Sequence, residues 1–329
     1  MKTLKAEKKP DLIIAGRSDG FGARIGNLLI AKRASSQTNT PMEVVWVQLP
    51  KQHGYNGDIQ DLLAPESLEQ FRFVQSAKQL VEHANSKREQ NNCIRIKECV
   101  PTYKDDAERD QARGEFVIAF KTLKFTPKIQ AAMDRIDAWA QHQNSQSTGL
   151  FGVHMRLGDV CNDVKRFFNN KYLPEGIYRL FIDKVALNAQ NASFYLASND
   201  PVARAELKAK LGGNITEMSD ILNTADFNGI EIDFLEIYAL SRCKLIYGPK
   251  LSAFSQCASM VSGSRIESIG EYTLGLEVIG IINQLLKDCA KQASAQALVL
   301  SKAPEAIQAI QKKRAEKRMR RQAQAASQG

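Results

Sequence analysis

The stretch Leu150–Asp159 (LFGVHMRLGD) carries the side chains best suited to chemistry. An apolar strand is predicted to end at His154, Arg156 and Asp159, where a loop begins. Because side chains alternate along a strand, His154 and Arg156 share one face. Ligands of open α/β sheets bind beyond the carboxyl ends of the strands, and arginine is well shaped to grip a phosphate. The stretch therefore predicts an anionic ligand such as a nucleotide diphosphate, although a strand-end histidine and arginine also commonly cap a loop and pair with a surface acid.

A second candidate is the glycine-rich turn within Ala15–Asn27 (AGRSDGFGARIGN). Gly20 and Gly22 permit a tight turn and a close approach of the backbone to a ligand, at the start of a helix. The pattern is neither a dinucleotide fingerprint, which needs glycine where Ile25 stands, nor a Walker loop. A turn packed closely on a strand explains these glycines equally well. Arg24 favours a nearby anion, because the first turn of a helix disfavours a cation.

Two further turns lead from a strand into a helix. Phe194–Ala197 is followed by Asn199 and Asp200, which are ordinary capping residues. Leu245–Tyr247 is followed by a Gly-Pro loop and then by Ser252 and Ser255 at the start of the next helix. Hydroxyls and amides at such a position predict an anion site, with simple capping as the alternative.

Short β-like runs alternate with helical stretches along the chain, which is typical of an α/β fold. The clearest helix begins after Thr126, an N-cap residue, with Pro127 in the first helical position. It leads into the polar segment Gln141–Thr148, which has the composition of a linker and predicts a domain boundary. The predicted strands are Leu12–Ala15, Val44–Gln48, Cys93–Lys97, Phe116–Phe120, Phe151–Met155, Phe194–Ala197, Ile215–Met218, Leu245–Tyr247 and Arg265–Ile269.

The composition is that of an ordinary globular protein, with 43% hydrophobic and 25% charged residues in a chain of 329, long enough for two domains. The N-terminal apolar run Leu12–Ala15 is too short for a signal peptide, and no run reaches the ~18 apolar residues of a membrane span. We therefore expect a cytoplasmic protein. Six cysteines without a Cys-x-x-Cys pair predict reduced thiols rather than disulfides or a zinc site.

Positive charge is concentrated near the C-terminus. Residues 302–321 hold eight Lys or Arg and two Glu, a net +6 of the total +9, which leaves +3 elsewhere. We expect residues 291–329 to form a basic helical tail. Its apolar stripe is thin, so it is either a helix in peripheral contact with an anionic membrane or another polyanion, or a solvated terminal helix, which we favour.

Two of these segments resemble motifs of the GT-B fucosyltransferase superfamily, which joins the α1,6- and nodulation-type enzymes to the α1,2- and protein O-fucosyltransferases. Residues 152–159 (GVHMRLGD) look like the His-x-Arg-x-x-Asp motif of that family. Residues 195–201 (YLASNDP) are similar to its Tyr-Leu-Ala-Thr-Asp-Asp-Pro segment.

The resemblance extends to two other parts of the chain. Residues 20–22 (GFG) match the N-terminal glycine loop of the family. Asp233 with Leu235, residues 245–247 (LIY) and residues 252–255 (SAFS) look like its third motif. Residues 50–115 and the basic tail have no counterpart among these motifs.

The resemblance implies a fold of two Rossmann-like domains that face each other across a cleft. Residues 1–147 would form an acceptor-side domain with the glycine loop, and residues 148–290 a nucleotide-sugar-binding domain. It also implies a GDP-sugar donor, with fucose as the sugar, and inverting transfer to a hydroxyl of a glycan or glycolipid without a divalent metal. No Asp-x-Asp sequence occurs, in agreement with that expectation.

The implied donor contacts come from all the motifs. Arg156 would hold the β-phosphate and stabilise charge on the departing diphosphate. His154 and Asp233 would hydrogen-bond the guanine. The donor-binding set is completed by the amides around Gly20 and Gly22, by Arg24, and by Ser252 or Ser255.

The acceptor hydroxyl needs a base, for which the motif loops offer Asp159, Asp163 and Asp19. The sequence does not decide among them. The loop after Asp159 is polar and aromatic, and Lys171 and Tyr172 within it are expected either to contact the acceptor sugar or to pack the loop onto the body.

Two other classes stay open. A nucleotide- or polyanion-binding protein without transferase activity would use the basic tail and the arginines, but nucleic-acid binders generally spread basic residues over the fold. A nucleotide-dependent dehydrogenase would use the glycine turn, but the glycine spacing departs from the dinucleotide fingerprint.

Overall fold

The N-terminal half contains a four-stranded parallel sheet. The structure, a computed structural model, describes residues 9–48, 57–90, 92–155, 180–181, 183–185, 191–249 and 252–275. The elements of this half are β1 (Leu12–Ala15), α1 (Phe21–Thr38), β2 (Met42–Val47), α2 (Ile59–Leu62), α3 (Pro65–Leu68), β3 (Phe71–Val74), α4 (Ala77–Gln90), β4 (Cys93–Ile96), α5 (Asp106–Lys121) and α6 (Pro127–Gln146). The strand order is β3-β2-β1-β4.

The C-terminal half contains a second parallel sheet. Its elements are β5 (Leu150–Met155), β6 (Ser193–Ser198), α7 (Pro201–Leu211), β7 (Ile215–Thr216), α8 (Met218–Ile221), α9 (Gly229–Ser241), β8 (Leu245–Gly248), α10 (Ala253–Ser262), β9 (Arg265–Ser268) and α11 (Ile269–Leu274). The strand order is β7-β6-β5-β8-β9. The expected α/β class with two parallel sheets is therefore confirmed.

Helices from both halves pack against each other between the sheets. Helix α1 lies on β1, β2 and β4 and, on its other side, contacts α10, which in turn lies on β8 and β9. Buried residues of both halves form one continuous hydrophobic core. Helix α1 fits this position because its sequence, FGARIGNLLIAKRA, has no extended polar face.

Most of the predicted strands are present with small shifts at their ends, but Phe116–Phe120 is wrong as a strand. It forms the end of α5, where Phe116 and Phe120 are four residues apart and both buried, the spacing of one helix face. Strand β3 was not expected from the sequence. The linker expected at Gln141–Thr148 is also mostly helical, because α6 continues to Gln146.

Helix α6 leads from the first sheet to the second. It begins as predicted, since Thr126 is the N-cap, its side chain accepts a hydrogen bond from the amide of Ile129, and Pro127 occupies the first turn. The helix packs against α9 and β5. The domain boundary expected at residues 147–148 stays a prediction; β5 begins just after it, at Leu150.

Candidate functional site

The first turns of α1 and α10 meet, although each belongs to a different half. A Cβ atom on Gly22 would lie 2.8 Å from Cα and 2.9 Å from the amide nitrogen of Phe254, so only glycine permits this approach. Helix α1 follows β1 and α10 follows β8, so this contact joins the carboxyl ends of the two sheets. The N-terminus of a helix carries a positive end of about half a charge, and two such ends converge here.

Neither helix is capped by the side chain of its N-cap residue. Gly20 precedes α1 and has no side chain, and the side chain of Ser252, which precedes α10, makes no capping hydrogen bond. The Ser252 residue is 7% exposed, and its hydroxyl has no hydrogen-bond partner among the described residues. The capping explanation of Ser252 is therefore not supported.

His154 is held tightly against the start of α10. Its Nδ1 atom lies 2.6 Å from Oγ of Ser255, and its ring stacks on Phe254 with centroids 4.9 Å apart. His154 is 6% exposed and Ser255 is fully buried. Gly248 makes room for this pair, because a Cβ there would lie 2.6 Å from the Ser255 hydroxyl oxygen. Three separate segments thus bring His154, Ser255 and Gly22 into one cluster.

Arg24 is buried inside the N-terminal half. Its guanidinium carbon lies 3.5 Å from the ring centroid of Trp46, and Nη2 donates a hydrogen bond of 2.6 Å to the carbonyl of Val47. These contacts give the guanidinium partners within the fold. These partners weaken the inference that a cation in the first turn of α1 requires a bound anion. The contact of Arg24 with a nucleotide stays a prediction.

Asp19 lies in the glycine-rich turn just before α1 and is paired with Arg17. Nε of Arg17 donates to Oδ1 of Asp19 at 2.7 Å, and Nη2 donates to Oδ2. The Asp19 side chain is 47% exposed, so it is reachable from solvent. Both carboxylate oxygens of Asp19 already accept hydrogen bonds from Arg17. One of these oxygens would have to accept a second hydrogen bond, from the acceptor hydroxyl, before Asp19 could take its proton.

Asn27 fixes the glycine turn, a role that the sequence did not reveal. Its Oδ1 accepts from the amide of Gly16 at 2.8 Å, and its Nδ2 donates to the carbonyls of Ile96 and Glu98. The side chain is almost fully buried. Phe254 was missed as well, because an apolar residue between two serines carries no sequence signal for stacking on a histidine.

Asp233 lies in the second turn of α9 within a separate acidic cluster. Burial, followed by the charge of Asp233, raises the pKa of Glu236 to about 8. Glu236 and Glu217 in turn contribute to a raised pKa of Tyr195, for which burial is the main cause. The sequence singled out Asp233 but not Glu236. The raised pKa of Glu236 depends on neighbours that only the fold supplies.

Four predicted site residues, Arg156, Asp159, Lys171 and Tyr172, lie outside the described residues, as does Asp163. Within the described part of the chain, no helix has the length and apolar character needed to cross a membrane. Those same residues include no group of three His, Cys, Asp or Glu side chains arranged to hold a metal. Among the described cysteines, Cys93, Cys243 and Cys257 are buried and form no disulfide.

No protein-family model and no curated protein matches the sequence. Solved structures do match. NodZ α1,6-fucosyltransferase soaked with GDP-fucose is 15% identical, with a TM-score of 0.46 over 77% of this chain and 93% of its own. Fucosyltransferase NodZ from Bradyrhizobium, as the Se-Met protein, is 17% identical, with a TM-score of 0.45 over 76% and 92%. POFUT1 in complex with GDP-fucose is 11% identical, with a TM-score of 0.45 over 80% and 98%.

Proposed function

We propose that the chain is an inverting glycosyltransferase that moves a sugar, with fucose the first to test, from a GDP-sugar to a glycan hydroxyl without a divalent metal. The observation that carries the proposal is the contact of Gly22 with Phe254, which joins two helix N-termini beside the His154–Ser255 pair. The motif resemblance of the same segments supplies the identity of the donor.

The diphosphate would lie against the two helix N-termini. Their first-turn amides and the Ser252 hydroxyl, which makes no capping hydrogen bond, are donors suited to phosphate oxygens. A helix N-terminus favours an anion by about 0.3–2 kcal/mol, so two of them give a useful but modest attraction. Arg156, two residues beyond His154, would add a full positive charge on the β-phosphate.

The guanine would be selected by His154 and Asp233. A base-reading side chain must be held in one orientation, because a freely rotating ring loses entropy on binding. The stack on Phe254 and the hydrogen bond to Ser255 hold the His154 ring before any ligand arrives. Asp233 would accept hydrogen bonds from the guanine N–H groups, which uracil and thymine do not present in the same pattern.

The chemical step would be a direct displacement. The acceptor oxygen attacks the anomeric carbon, the bond from that carbon to the phosphate oxygen breaks, and GDP leaves with the electron pair. Arg156 and the helix N-termini would stabilise the charge that develops on the diphosphate. Asp19 or Asp159 would take the proton of the acceptor hydroxyl.

The acceptor would bind on the side of the N-terminal domain, residues 1–147, facing the donor domain, residues 148–290. Lys171 and Tyr172 are candidates to contact a glycan or glycolipid there. The tail, residues 291–329, would at most add a peripheral contact with an anionic membrane surface, in keeping with a cytoplasmic enzyme.

Hydrolysis of a panel of GDP-, UDP- and dTDP-sugars tests the proposal. We expect slow release of GDP from GDP-fucose, lost in Arg156→Ala and His154→Ala but retained in His142→Ala, which changes an exposed histidine of α6. Hydrolysis of a UDP- or dTDP-sugar instead, or wild-type turnover in both variants, would contradict it. A thermal-shift screen separates the other classes, because NAD would stabilise a dehydrogenase and a salt-sensitive response to oligonucleotides would indicate a polyanion binder.

A further inference from the structure

Arg95 carries a positive charge that no described carboxylate neutralises. It lies in β4, an edge strand of the N-terminal sheet, and its Nη2 donates to the carbonyl of Gly16 at 3.3 Å. Its Nε is buried and has no hydrogen-bond partner among the described residues. A buried donor without a partner destabilises the protein, so a group that satisfies Nε would be bound favourably.

Arg17 places a second guanidinium close to the first. Burial lowers the pKa of Arg95, and the charge of Arg17 lowers it further, while no carboxylate of the described ranges acts in the opposite direction. The pKa of Arg17 is raised, chiefly by its hydrogen bond with Asp19. The Asp19 carboxylate thus neutralises Arg17 and does not neutralise the positive charge of Arg95.

Among the described residues, the surroundings of Arg95 add no neutralising group. Nη1 of Arg17 donates to the carbonyl of Lys97, which fixes the guanidinium at the end of β4. Glu98 acts weakly on Arg17, and one oxygen of its carboxylate accepts from the amide of Lys97 at 3.0 Å. The charges of Asp19 and Glu98 both raise the pKa of Arg17, and neither shifts the pKa of Arg95.

We propose that Arg17 and Arg95 form a second anion site, which binds a carboxylate or phosphate carried by the acceptor. The assignment to an acceptor rests on the proposed function. Asp19, a candidate base for the acceptor hydroxyl, is in direct hydrogen-bond contact with Arg17. An acceptor whose hydroxyl reaches Asp19 would therefore place its neighbouring groups over the two arginines.

The chemistry of guanidinium groups suits this ligand. Arginine presents planar donors that match carboxylate and phosphate oxygens, and charge-assisted hydrogen bonds are about twice as strong as neutral ones. A bound anion would satisfy Nε of Arg95 and relieve the repulsion between the two cations. A neutral glycan would do neither, so the site predicts a preference for acidic acceptors.

Binding of inorganic phosphate to protein saturated with GDP tests this site without knowledge of the acceptor. Line broadening in ³¹P NMR measures the affinity for the wild type, Arg95→Gln, Arg95→Lys and the control Arg72→Gln, which changes an exposed arginine paired with Glu43. We expect at least tenfold weaker binding in Arg95→Gln, partial retention in Arg95→Lys and no change in Arg72→Gln. Circular dichroism verifies that each variant is folded.

Competition with other ligands distinguishes a sugar-borne anion from phosphate alone. Displacement of phosphate by glucuronate or glucose 6-phosphate, but not by glucose, would support a sugar-borne anion and tell a carboxylate from a phosphate. Phosphate binding only in the absence of GDP, wild-type affinity in Arg95→Gln, or no phosphate binding at all would overturn the proposal. If GDP itself fails to bind while phosphate still requires Arg95, the anion site stands and the proposed transferase function fails.

Discussion

His154 and Ser255 share a hydrogen bond of 2.6 Å between Nδ1 and Oγ, although 101 residues separate them in the chain. This bond fixes the ring at the start of α10, so the two residues should act on a nucleotide as a unit. We expect Ser255→Ala to weaken GDP binding about tenfold in the wild type and to have little further effect in His154→Ala. A double-mutant cycle measured by calorimetry tests the coupling, and strictly additive effects would show that the pair is only structural.

Gly22→Ala should force α1 and α10 apart. The added Cβ would lie 2.8 Å from the backbone of Phe254, which cannot move as a side-chain tip can. We expect a loss of about 1–3 kcal/mol in the free energy of unfolding together with weaker GDP binding.

Gly114→Ala is the matched control for that variant. Gly114 lies within α5, and a Cβ there meets nothing within 4 Å, so we expect stabilisation by about 0.5–1 kcal/mol with GDP affinity unchanged. Urea unfolding and calorimetry provide both quantities. Equal effects of the two substitutions would remove the argument for close contact at Gly22.

Ser252→Ala should weaken GDP binding by about 0.5–1.5 kcal/mol while leaving the melting temperature unchanged, because the hydroxyl has no protein partner among the described residues. Ser67 is equally buried, but its hydroxyl oxygen accepts a hydrogen bond of 2.6 Å from the amide of Lys124. Ser67→Ala should therefore show the opposite pattern, with lower stability and normal affinity. A stability loss in Ser252→Ala without a change in affinity would assign Ser252 to the fold alone.

Glu236 should make the protein less stable as the pH rises. Its folded-state pKa of about 8 lies above the ordinary value of 4.5, so the folded state binds the proton more tightly than the unfolded chain does. The free energy of unfolding should then fall between about pH 4.5 and pH 8 and level off above that range.

Urea unfolding from pH 5 to pH 9 tests this dependence. Glu236→Gln should remove much of the slope and be more stable than the wild type at high pH. Glu66→Gln, which changes an exposed residue of α3, is the control and should follow the wild type. Parallel pH profiles for the wild type and Glu236→Gln would contradict the buried, protonated state.

The sequence predicted the elements that bring the site together. Strands such as β1 and β5 are short apolar runs that end at glycine or polar residues, and that local pattern is enough to locate them. The prediction of a strand at Phe116–Phe120 was wrong because a five-residue apolar run fits a strand and a buried helix face alike. The choice depends on what packs against it, which in the structure is the core between the sheets.

The contacts of the site residues needed the fold. Arg24 was expected to require an anion, but Trp46 and the carbonyl of Val47 receive its guanidinium, and both come from β2. The roles of Phe254 and Asn27 depend on partners in distant segments, which local sequence does not reveal. The sequence did not indicate Arg95 as a site residue, because arginines are common in edge strands and only the fold shows the charges around this one.

Calorimetric titration with GDP and UDP tests for a guanine nucleotide site without an acceptor or turnover. We expect that GDP binds, that UDP binds at least tenfold more weakly, and that His154→Ala removes this difference while His142→Ala preserves it. Equal binding of both nucleotides by the wild type, or no binding of GDP, would contradict a guanine nucleotide site at the junction of α1 and α10.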